Sequence, residues 1–419
     1  MSLYDKASIA LIPSGFKATS GNLGKLYSVM PANGDGDFGT SRGSTATRVN
    51  KDGLIESVAI GEARLDYPLT NGLVGDCPHL LLEPSRTNTL QYTEDFGNSS
   101  WTRTNSTVST NQVIAPDGSL TADRFIESTA TGSHDIRQNK TVTSGVQYTY
   151  SVFVKEYEAG SYRNVNFYVG GPNGVGTFSF STGGFTSHSF DSARAINYGN
   201  GWYRLEFTDT SVSTSFNTII LTQNGTTTNY TGDGSSGFYL WGAQLEQGSY
   251  ATSYIPNLTT GNTSRSADAA RDSGTSAYIN SEEGVMFLEI AALANDQSSR
   301  RITIAQGTSN LVRLGYDSVS NRIVAVVYNG TNQAVLTTTS YTITDFHKVA
   351  VKYKQNDFAL WVDGTKVSTD LSGSTFAANT LNEFAFDDGG GGNLFYGKVK
   401  QAIVFNELLT DDELQTLTS

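Results

Sequence analysis

Cysteine and histidine are scarce in this chain, and their scarcity excludes several kinds of site. One cysteine, Cys77, and four histidines are spread over 419 residues. A single thiol cannot build a disulfide framework, and structural zinc sites need sets of cysteine and histidine ligands. His79 lies two residues from Cys77, but a catalytic thiol and its base come from separate parts of a fold. We therefore expect an incidental loop thiol and no required cofactor.

Positive charge and long apolar runs are also in short supply. Lysine and arginine number 28 against 40 aspartates and glutamates, a net charge of -12. A nucleic-acid partner needs clustered basic residues, so we expect none. The first apolar run has about five residues before Pro13, whereas an export signal needs roughly 7–15 and a membrane span about 20. We expect no membrane insertion, and a protein made in a host cytoplasm and released by lysis.

Glycine, threonine, serine, asparagine and aromatic residues make up much of the chain. There are 43 glycines, 21 tyrosines and 21 phenylalanines, against 3 methionines and 8 prolines. Threonine and aromatic residues favour pleated sheets, and glycine and asparagine favour turns with positive φ. This composition predicts an all-β protein.

Alternation of apolar and polar residues divides the chain into two strand-rich domains. Residues 81–256 include Tyr148-Thr-Tyr-Ser-Val-Phe-Val, and residues 278–419 include Phe358-Ala-Leu-Trp-Val. Repeated strands with turn-rich spacers predict two consecutive antiparallel β-sandwiches, or jelly rolls. One helix is predicted at the end, where Thr410 and Glu413 form a capping box.

The remaining residues, 1–80 and 257–277, have weaker patterns. The first segment has strands too few and too short for a core of its own. We predict a β-poor attachment or oligomerisation segment that packs on a neighbour or on a partner chain. Residues 257–277 are small and polar without alternation, which predicts a linker.

Three segments of the C-terminal domain, 346–353, 358–367 and 397–406, precede the short final helix. In that order they resemble concanavalin-A-like and laminin-G-like lectin sandwiches. The resemblance implies the sandwich fold, whereas domains of this kind serve both as lectins and as spacers. Retaining glycosidases of that fold carry Glu-x-Asp-x-Glu on one strand, so that the carboxylates share a face. No such triplet occurs, nor does a Gly-x-Ser-x-Gly elbow, so we expect no catalytic residue and no enzyme.

The middle domain opens with Leu81-Leu-Glu-Pro-Ser-Arg-Thr-Asn and closes with Trp241-Gly-Ala-Gln-Leu-Glu-Gln-Gly. These motifs resemble the carbohydrate-binding-module-like jelly rolls of bacteriophage tail and virion proteins. Residues 2–17 are similar to the starts of fibre-like or capsid-associated phage proteins. The resemblance implies a tail fibre or other surface-projecting virion protein, with virion proteins and host-surface polysaccharide as partners. A homotrimer is expected, and the alternatives are a capsid decoration protein without a glycan ligand and a virion-borne depolymerase.

Candidate glycan-binding residues follow from the chemistry of sugars, which stack on exposed aromatic rings and hydrogen-bond to polar side chains. Those in loop-like stretches are Trp101, Tyr162, Tyr230, Asp233, Asp387, Asp388 and Asn393. Calcium prefers oxygen ligands, and Asn33, Asp35 and Asp37 have a suitable alternating spacing. The competing interpretations are interior packing or a subunit interface for the aromatic residues and solvated turns for the acidic loops.

Overall fold

The computed structural model describes residues 2–15, 24–157, 163–170 and 174–419. It begins with a 3-10 helix, Leu3–Lys6, and nearly all its other regular elements are strands. The first strands are β1 (Ile9–Leu11), β2 (Lys25–Leu26), β3 (Phe38–Ser41), β4 (Ala46–Val49), β5 (Ile55–Val58), β6 (Leu65–Asp66), β7 (Leu69–Thr70), β8 (Leu73–Val74) and β9 (His79–Leu82).

The middle part of the chain is a jelly-roll sandwich, as predicted. Its strands are β10 (Arg86–Asn88), β11 (Thr102–Thr104), β12 (Ser106–Val113), β13 (Ala122–Glu127), β14 (Thr131–Gly132), β15 (Asp135–Thr141), β16 (Gln147–Glu156), β17 (Arg163–Gly170), β18 (Gly174–Ser179), β19 (Gly184–His188), β20 (Ser192–Gly199), β21 (Trp202–Thr210), β22 (Ser215–Asn224), β23 (Tyr230–Thr231) and β24 (Gly237–Gln247). One antiparallel sheet has the order β11-β15-β22-β17-β18-β19, and the other has the order β12-β13-β24-β16-β21-β20. Aromatic and branched side chains of both sheets, such as Phe167 and Tyr150, form one buried core.

The C-terminal part is a second antiparallel sandwich. Its strands and helix are β25 (Thr263–Arg265), β26 (Ala269–Arg271), β27 (Glu283–Ala292), β28 (Arg300–Gln306), β29 (Asn310–Tyr316), β30 (Ile323–Asn329), β31 (Thr331–Thr338), β32 (His347–Lys354), β33 (Phe358–Val362), β34 (Thr365–Asp370), β35 (Glu383–Ala385), β36 (Gly397–Phe405) and α1 (Asp411–Thr418). A sheet of order β34-β33-β32-β27-β36-β9-β6, with β1 also paired to β36, packs on a sheet of order β31-β30-β29-β28-β35.

Helix α1 closes the second sandwich through its predicted capping box. The Thr410 hydroxyl accepts a hydrogen bond from the Glu413 amide, and the Glu413 carboxylate accepts one from the Thr410 amide. Leu414 and Leu417 are buried in a small apolar cluster with Trp361. None of the helices in the described part of the chain has the length and apolar content needed to cross a bilayer.

The N-terminal segment belongs to the second sandwich, which alters the predicted division of the chain. Strand β1 pairs with β36 through Ile9 and Val404, and β9 pairs with the same strand through Leu80 and Val399. The boundary drawn at residue 80 therefore falls inside a strand. Of the two alternatives for residues 1–80, the structure shows packing on a neighbouring domain. Extended segments that complete a sheet bury their apolar side chains in that sheet's core.

Residues 257–277, predicted to be a linker, instead contribute two strands. Strand β25 pairs with β10, and β26 pairs with β3 from the N-terminal segment. The sequence pattern did not predict these strands, because their residues are small or polar and neither strand shows a long alternation of apolar side chains. The segment therefore joins the jelly roll to the N-terminal residues by backbone hydrogen bonds.

A buried network of five charged side chains links the N-terminal segment, the jelly roll and residues 257–277. Arg42 Nη1 donates to Asp268 Oδ1 at 3.0 Å, and Arg64 Nη2 donates to Asp268 Oδ2. Glu83 Oε2 accepts from Arg64 Nη1 at 2.6 Å and from Arg265 Nη1 at 2.7 Å. All five are buried. Buried charges are tolerated only when paired, so this ion network fixes the N-terminal segment, the first strands of the jelly roll and the predicted linker in one arrangement.

Candidate functional site

Two of the aromatic candidates, Trp101 and Tyr230, do not present open faces to solvent. Trp101 is 1% exposed, its ring centroid lies 4.6 Å from that of Phe96, and its Nε1 donates to the Tyr92 carbonyl. Tyr230 is 9% exposed and donates its hydroxyl to Glu127. The expectation of exposed stacking platforms at these two residues is therefore corrected, because both rings are covered by packing. Tyr162 lies outside the described residues.

Asp233 lies beside Tyr230, in a network centred on Glu127. Arg163 donates to both Glu127 carboxylate oxygens, and its Nη2 also lies 3.2 Å from Asp233 Oδ2. Burial alone would raise the pKa of Asp233, but hydrogen bonds from Ser236 hold that pKa well below its ordinary value. The sequence prediction thus identified two neighbours, and their shared contacts serve the internal packing of the jelly roll. A glycan contact by the exposed part of Asp233 stays a prediction.

The proposed calcium ligands do not point their oxygens at one position. Asn33 turns its amide nitrogen toward Asp35 Oδ2 at 2.7 Å, and Asp37 Oδ1 accepts from the backbone amide of Ser28. Within the ranges that the structure describes, no group of three or more histidine, cysteine, aspartate or glutamate side chains is arranged to hold a metal ion. Calcium binding here remains a prediction.

The acidic, glycine-rich candidates form a tight loop, residues 387–393, at one edge of the second sandwich. Asp387 is buried and accepts a hydrogen bond from the Gly389 amide. Asp388 accepts hydrogen bonds from the Gly392 amide and from Asn393 Nδ2 at 2.8 Å. Gly389 has a φ of +82°, and a Cβ there would lie 2.5 Å from the Gly307 carbonyl oxygen. Glycine is therefore needed for the loop to lie against the end of β28.

Beside this loop, the outer side of the β31-β30-β29-β28-β35 sheet carries unexpected polar residues. Ile302, Ile304, Val312 and Leu314 of this sheet point into the core. Since side chains alternate along strands, their neighbours lie on the opposite side. Arg313 stands directly opposite Thr303 on β28 and Val326 on β30. We call the surface around the partly exposed Arg301, Arg313 and Tyr328, with the buried Thr303 and Val326 between them, the arginine face.

The electrostatics of the arginine face leave one guanidinium without a partner. In the described part of the chain, Arg313 makes no hydrogen bond or ion pair, and its Nε is buried. Burial, and then the charge of Arg301, lowers the pKa of Arg313. Arg301 Nη1 lies 4.0 Å from Asp388 Oδ2, whereas nearby Asp317 is held by Arg322 at 2.8 Å. An unpaired guanidinium with a planar donor fork is suited to a carboxylate or sulfate group.

Sequence pattern predicted Asp388 and Asn393 beside the arginine face and missed Arg301 and Arg313 within it. Asp388 and Asn393 lie on the loop beside Arg301, whose amide donates to the Asn393 carbonyl at 3.1 Å. Arg301 and its neighbour Arg300 make only a short basic spot in the sequence, and Arg313 has no basic neighbour in the chain. Alternation could have placed each arginine on the solvent side of its strand. Their proximity depends on the pairing of β28 with β29.

Comparison with known proteins identifies the fold of the domain that carries this surface. Residues 290–415 match the family model described as the concanavalin A-like lectin/glucanases superfamily. Among solved structures, the CBM40 domain of the Ruminococcus gnavus IT-sialidase, bound to α2,3-sialyllactose, is 17% identical, with 33% of this chain and 83% of that chain covered and a TM-score of 0.28. Domains LG4-5 of the mouse laminin α1 chain are 10% identical, with 65% and 86% covered and a TM-score of 0.22.

No curated protein matches the chain. Residues 290–415 of the C-terminal sandwich are therefore similar to the concanavalin A-like, laminin-G-like domains. The matched residues include strands β28 to β31 and the loop at 387–393, so they contain the whole arginine face.

Proposed function

We propose that this chain is a non-enzymatic, glycan-binding structural protein of a bacteriophage particle, displayed at the virion surface. The lectin-domain match at residues 290–415 supports glycan binding. The virion setting is supported by the likeness of the opening, middle and closing motifs to phage fibre and capsid-associated proteins. We assign no catalytic role to Asp233 and Asp388, whose carboxylates are engaged in internal hydrogen bonds.

The observation that carries the proposal is the unpaired guanidinium of Arg313 on the arginine face. A chain with a net charge of -12 repels acidic polymers over most of its surface, so a local positive site would determine where such a polymer binds. Arg301 and Arg313 would bind a carboxylate or sulfate of a host-surface polysaccharide, while the partly exposed Tyr328 supplies apolar area for a sugar ring. One charge-assisted hydrogen bond is worth about 1.5–3 kcal/mol.

A glycan array with the full chain tests this function. We expect retention on acidic polysaccharides that falls at least tenfold in Arg313→Ala, and partial recovery in Arg313→Lys. Lys354→Ala is the matched control, because it removes a positive charge from an exposed ion pair with Glu283 in the same sandwich. Equal retention by the Arg313→Ala and parent chains would refute the assignment of the arginine face. A flat array would favour capsid decoration, and shortening of the polysaccharide chains would favour a depolymerase.

The assembly state forms a separate part of the proposal. Fibre and decoration proteins are oligomeric, and on that resemblance we propose a homotrimer attached to other virion proteins. Ile9 and Leu11 of the N-terminal segment are buried within the same chain. These residues therefore give no separate reason to require a partner chain. Immunogold labelling of intact phage with antibody to residues 278–419 would test the virion setting, and unlabelled particles would contradict it.

A further inference from the structure

A polar recess, separate from the arginine face, lies between the two sandwiches. Two adjoining hollows, of about 660 and 320 Å³, share Arg86 and Asp296 in their walls. The jelly roll supplies Gln247 and Tyr250, and the C-terminal sandwich supplies Gln297 and Tyr396. We call this recess the interdomain cleft. Its size falls in the range of about 300–1,000 Å³ typical of small-molecule sites, which commonly lie between domains.

The interdomain cleft offers polar groups that have no partner in the part of the chain that the structure describes. Gln247 and Gln297 are exposed, and neither side-chain amide makes a hydrogen bond among the described residues. The hydroxyls of Tyr250 and Tyr396 also have no hydrogen-bond partner there, and burial raises the pKa of Tyr250 to about 12. Amide and phenol groups both donate and accept hydrogen bonds, as the hydroxyls of a sugar do.

The charges in the cleft are balanced, in contrast to those of the arginine face. Arg300 Nη2 lies 2.7 Å from both Asp296 oxygens. Arg86 Nε lies 3.6 Å from Glu246 Oε2, and its guanidinium sits 5.4 Å from the centre of the Tyr250 ring. Each cation of the cleft therefore has a carboxylate beside it. This arrangement provides no net attraction for an acidic ligand and favours hydrogen bonding to an uncharged one.

We propose that the interdomain cleft binds an uncharged oligosaccharide that contacts both sandwiches at once. This site goes beyond the proposed function, because it is separate from the arginine face and takes a different class of glycan. Gln247 on one wall and Gln297 on the other would each bind sugar hydroxyls. Asn393 lines this cleft and belongs to the loop beside the arginine face, so that loop lies between the two surfaces.

The test uses the full chain on an array that displays uncharged and acidic oligosaccharides separately. We expect at least one uncharged oligosaccharide to be retained, with affinity falling at least tenfold in the Gln247→Ala/Gln297→Ala double variant. Ser298→Trp, which places a large side chain in the cleft from an exposed position, should abolish that retention. Gln112→Ala removes an exposed glutamine from β12 and should have no effect.

The outcomes separate this proposal from the preceding one. Arg313→Ala should leave the retention of uncharged oligosaccharides unchanged, while the double glutamine variant should leave that of acidic polysaccharides unchanged. If no uncharged oligosaccharide is retained, or if retention survives both the double variant and Ser298→Trp, the cleft proposal is overturned. Loss of acidic retention alone in Arg313→Ala would still support the arginine face.

Discussion

Substitution of Asp268 by asparagine tests the buried ion network most severely. In the parent chain Asp268 accepts hydrogen bonds from Arg42, from Arg64 and from the backbone amide of Glu83 at 2.9 Å. After Asp268→Asn, three buried arginines would face the single carboxylate of Glu83. Removing one partner from a buried ion pair costs about 3–5 kcal/mol, because a charge is left in the interior without compensation.

This cost is a large part of the 5–15 kcal/mol that stabilises a typical protein. With about 2–4 °C of melting temperature per kcal/mol in a large domain, the expected decrease is about 6–20 °C. Thermal unfolding followed by tryptophan fluorescence and by far-ultraviolet circular dichroism would measure it. Asp345→Asn, at an exposed aspartate of the second sandwich, should change stability by no more than about 0.5 kcal/mol.

A double variant distinguishes loss of the ion network from a local packing defect. Arg42→Met added to Asp268→Asn removes one of the uncompensated buried charges while keeping a long apolar side chain. We expect the double variant to be more stable than Asp268→Asn alone, since the two residues are directly coupled. If Asp268→Asn melts at the same temperature as Asp345→Asn, the five buried charges do not hold the N-terminal segment, the jelly roll and residues 257–277 together.

Other side chains give further expectations. Burial raises the pKa of Glu94 to about 7, against about 4.3 for a free glutamate, so ionised Glu94 destabilises the fold as pH rises through that interval. Glu94→Gln should raise the free energy of unfolding by about 1–2 kcal/mol at pH 8, a value reduced for the partial exposure of Glu94, and should leave it unchanged at pH 4. Urea unfolding would measure both values. Burial would raise the pKa of Glu83, but the charge of Arg265 holds that pKa below its ordinary range. The stabilisation provided by ionised Glu83 should be intact above about pH 4.3 and should decline as pH falls further, as acid titration would show. Trp101→Ala should cost about 3–5 kcal/mol in thermal unfolding, because the ring is in the core. Gly389→Ala should displace the 387–393 loop and weaken acidic-glycan retention on an array without a matching loss of melting temperature.

The strands that sequence pattern predicted are those with sustained alternation. Tyr148-Thr-Tyr-Ser-Val-Phe-Val lies in β16, and Phe358-Ala-Leu-Trp-Val forms β33. The capping box of the final helix is also local, because Thr410 and Glu413 are three residues apart. The all-β class and the two sandwiches followed from these local signals.

The parts that sequence pattern missed depend on partners far along the chain. Strand β1 is only three residues long and pairs with β36 nearly four hundred residues later. Arg42 and Asp268 resemble ordinary surface residues until folding brings them together in the interior. Trp101 lies in a loop-like stretch that suggested a glycan-binding residue, but irregular segments that cover the ends of a sandwich also bury rings.

Glycan binding by the arginine face can be measured as the affinity of the full chain for acidic host-surface polysaccharide, by biolayer interferometry on the parent chain and Arg313→Ala. We expect binding that weakens as salt concentration rises, because paired charges are screened. We also expect Arg313→Ala to bind with the lower affinity of the two chains. The decrease should be at least tenfold, while Lys354→Ala should change the affinity little. Binding that is equally strong in Arg313→Ala, or insensitive to salt, would contradict the claim that the arginine face holds the glycan.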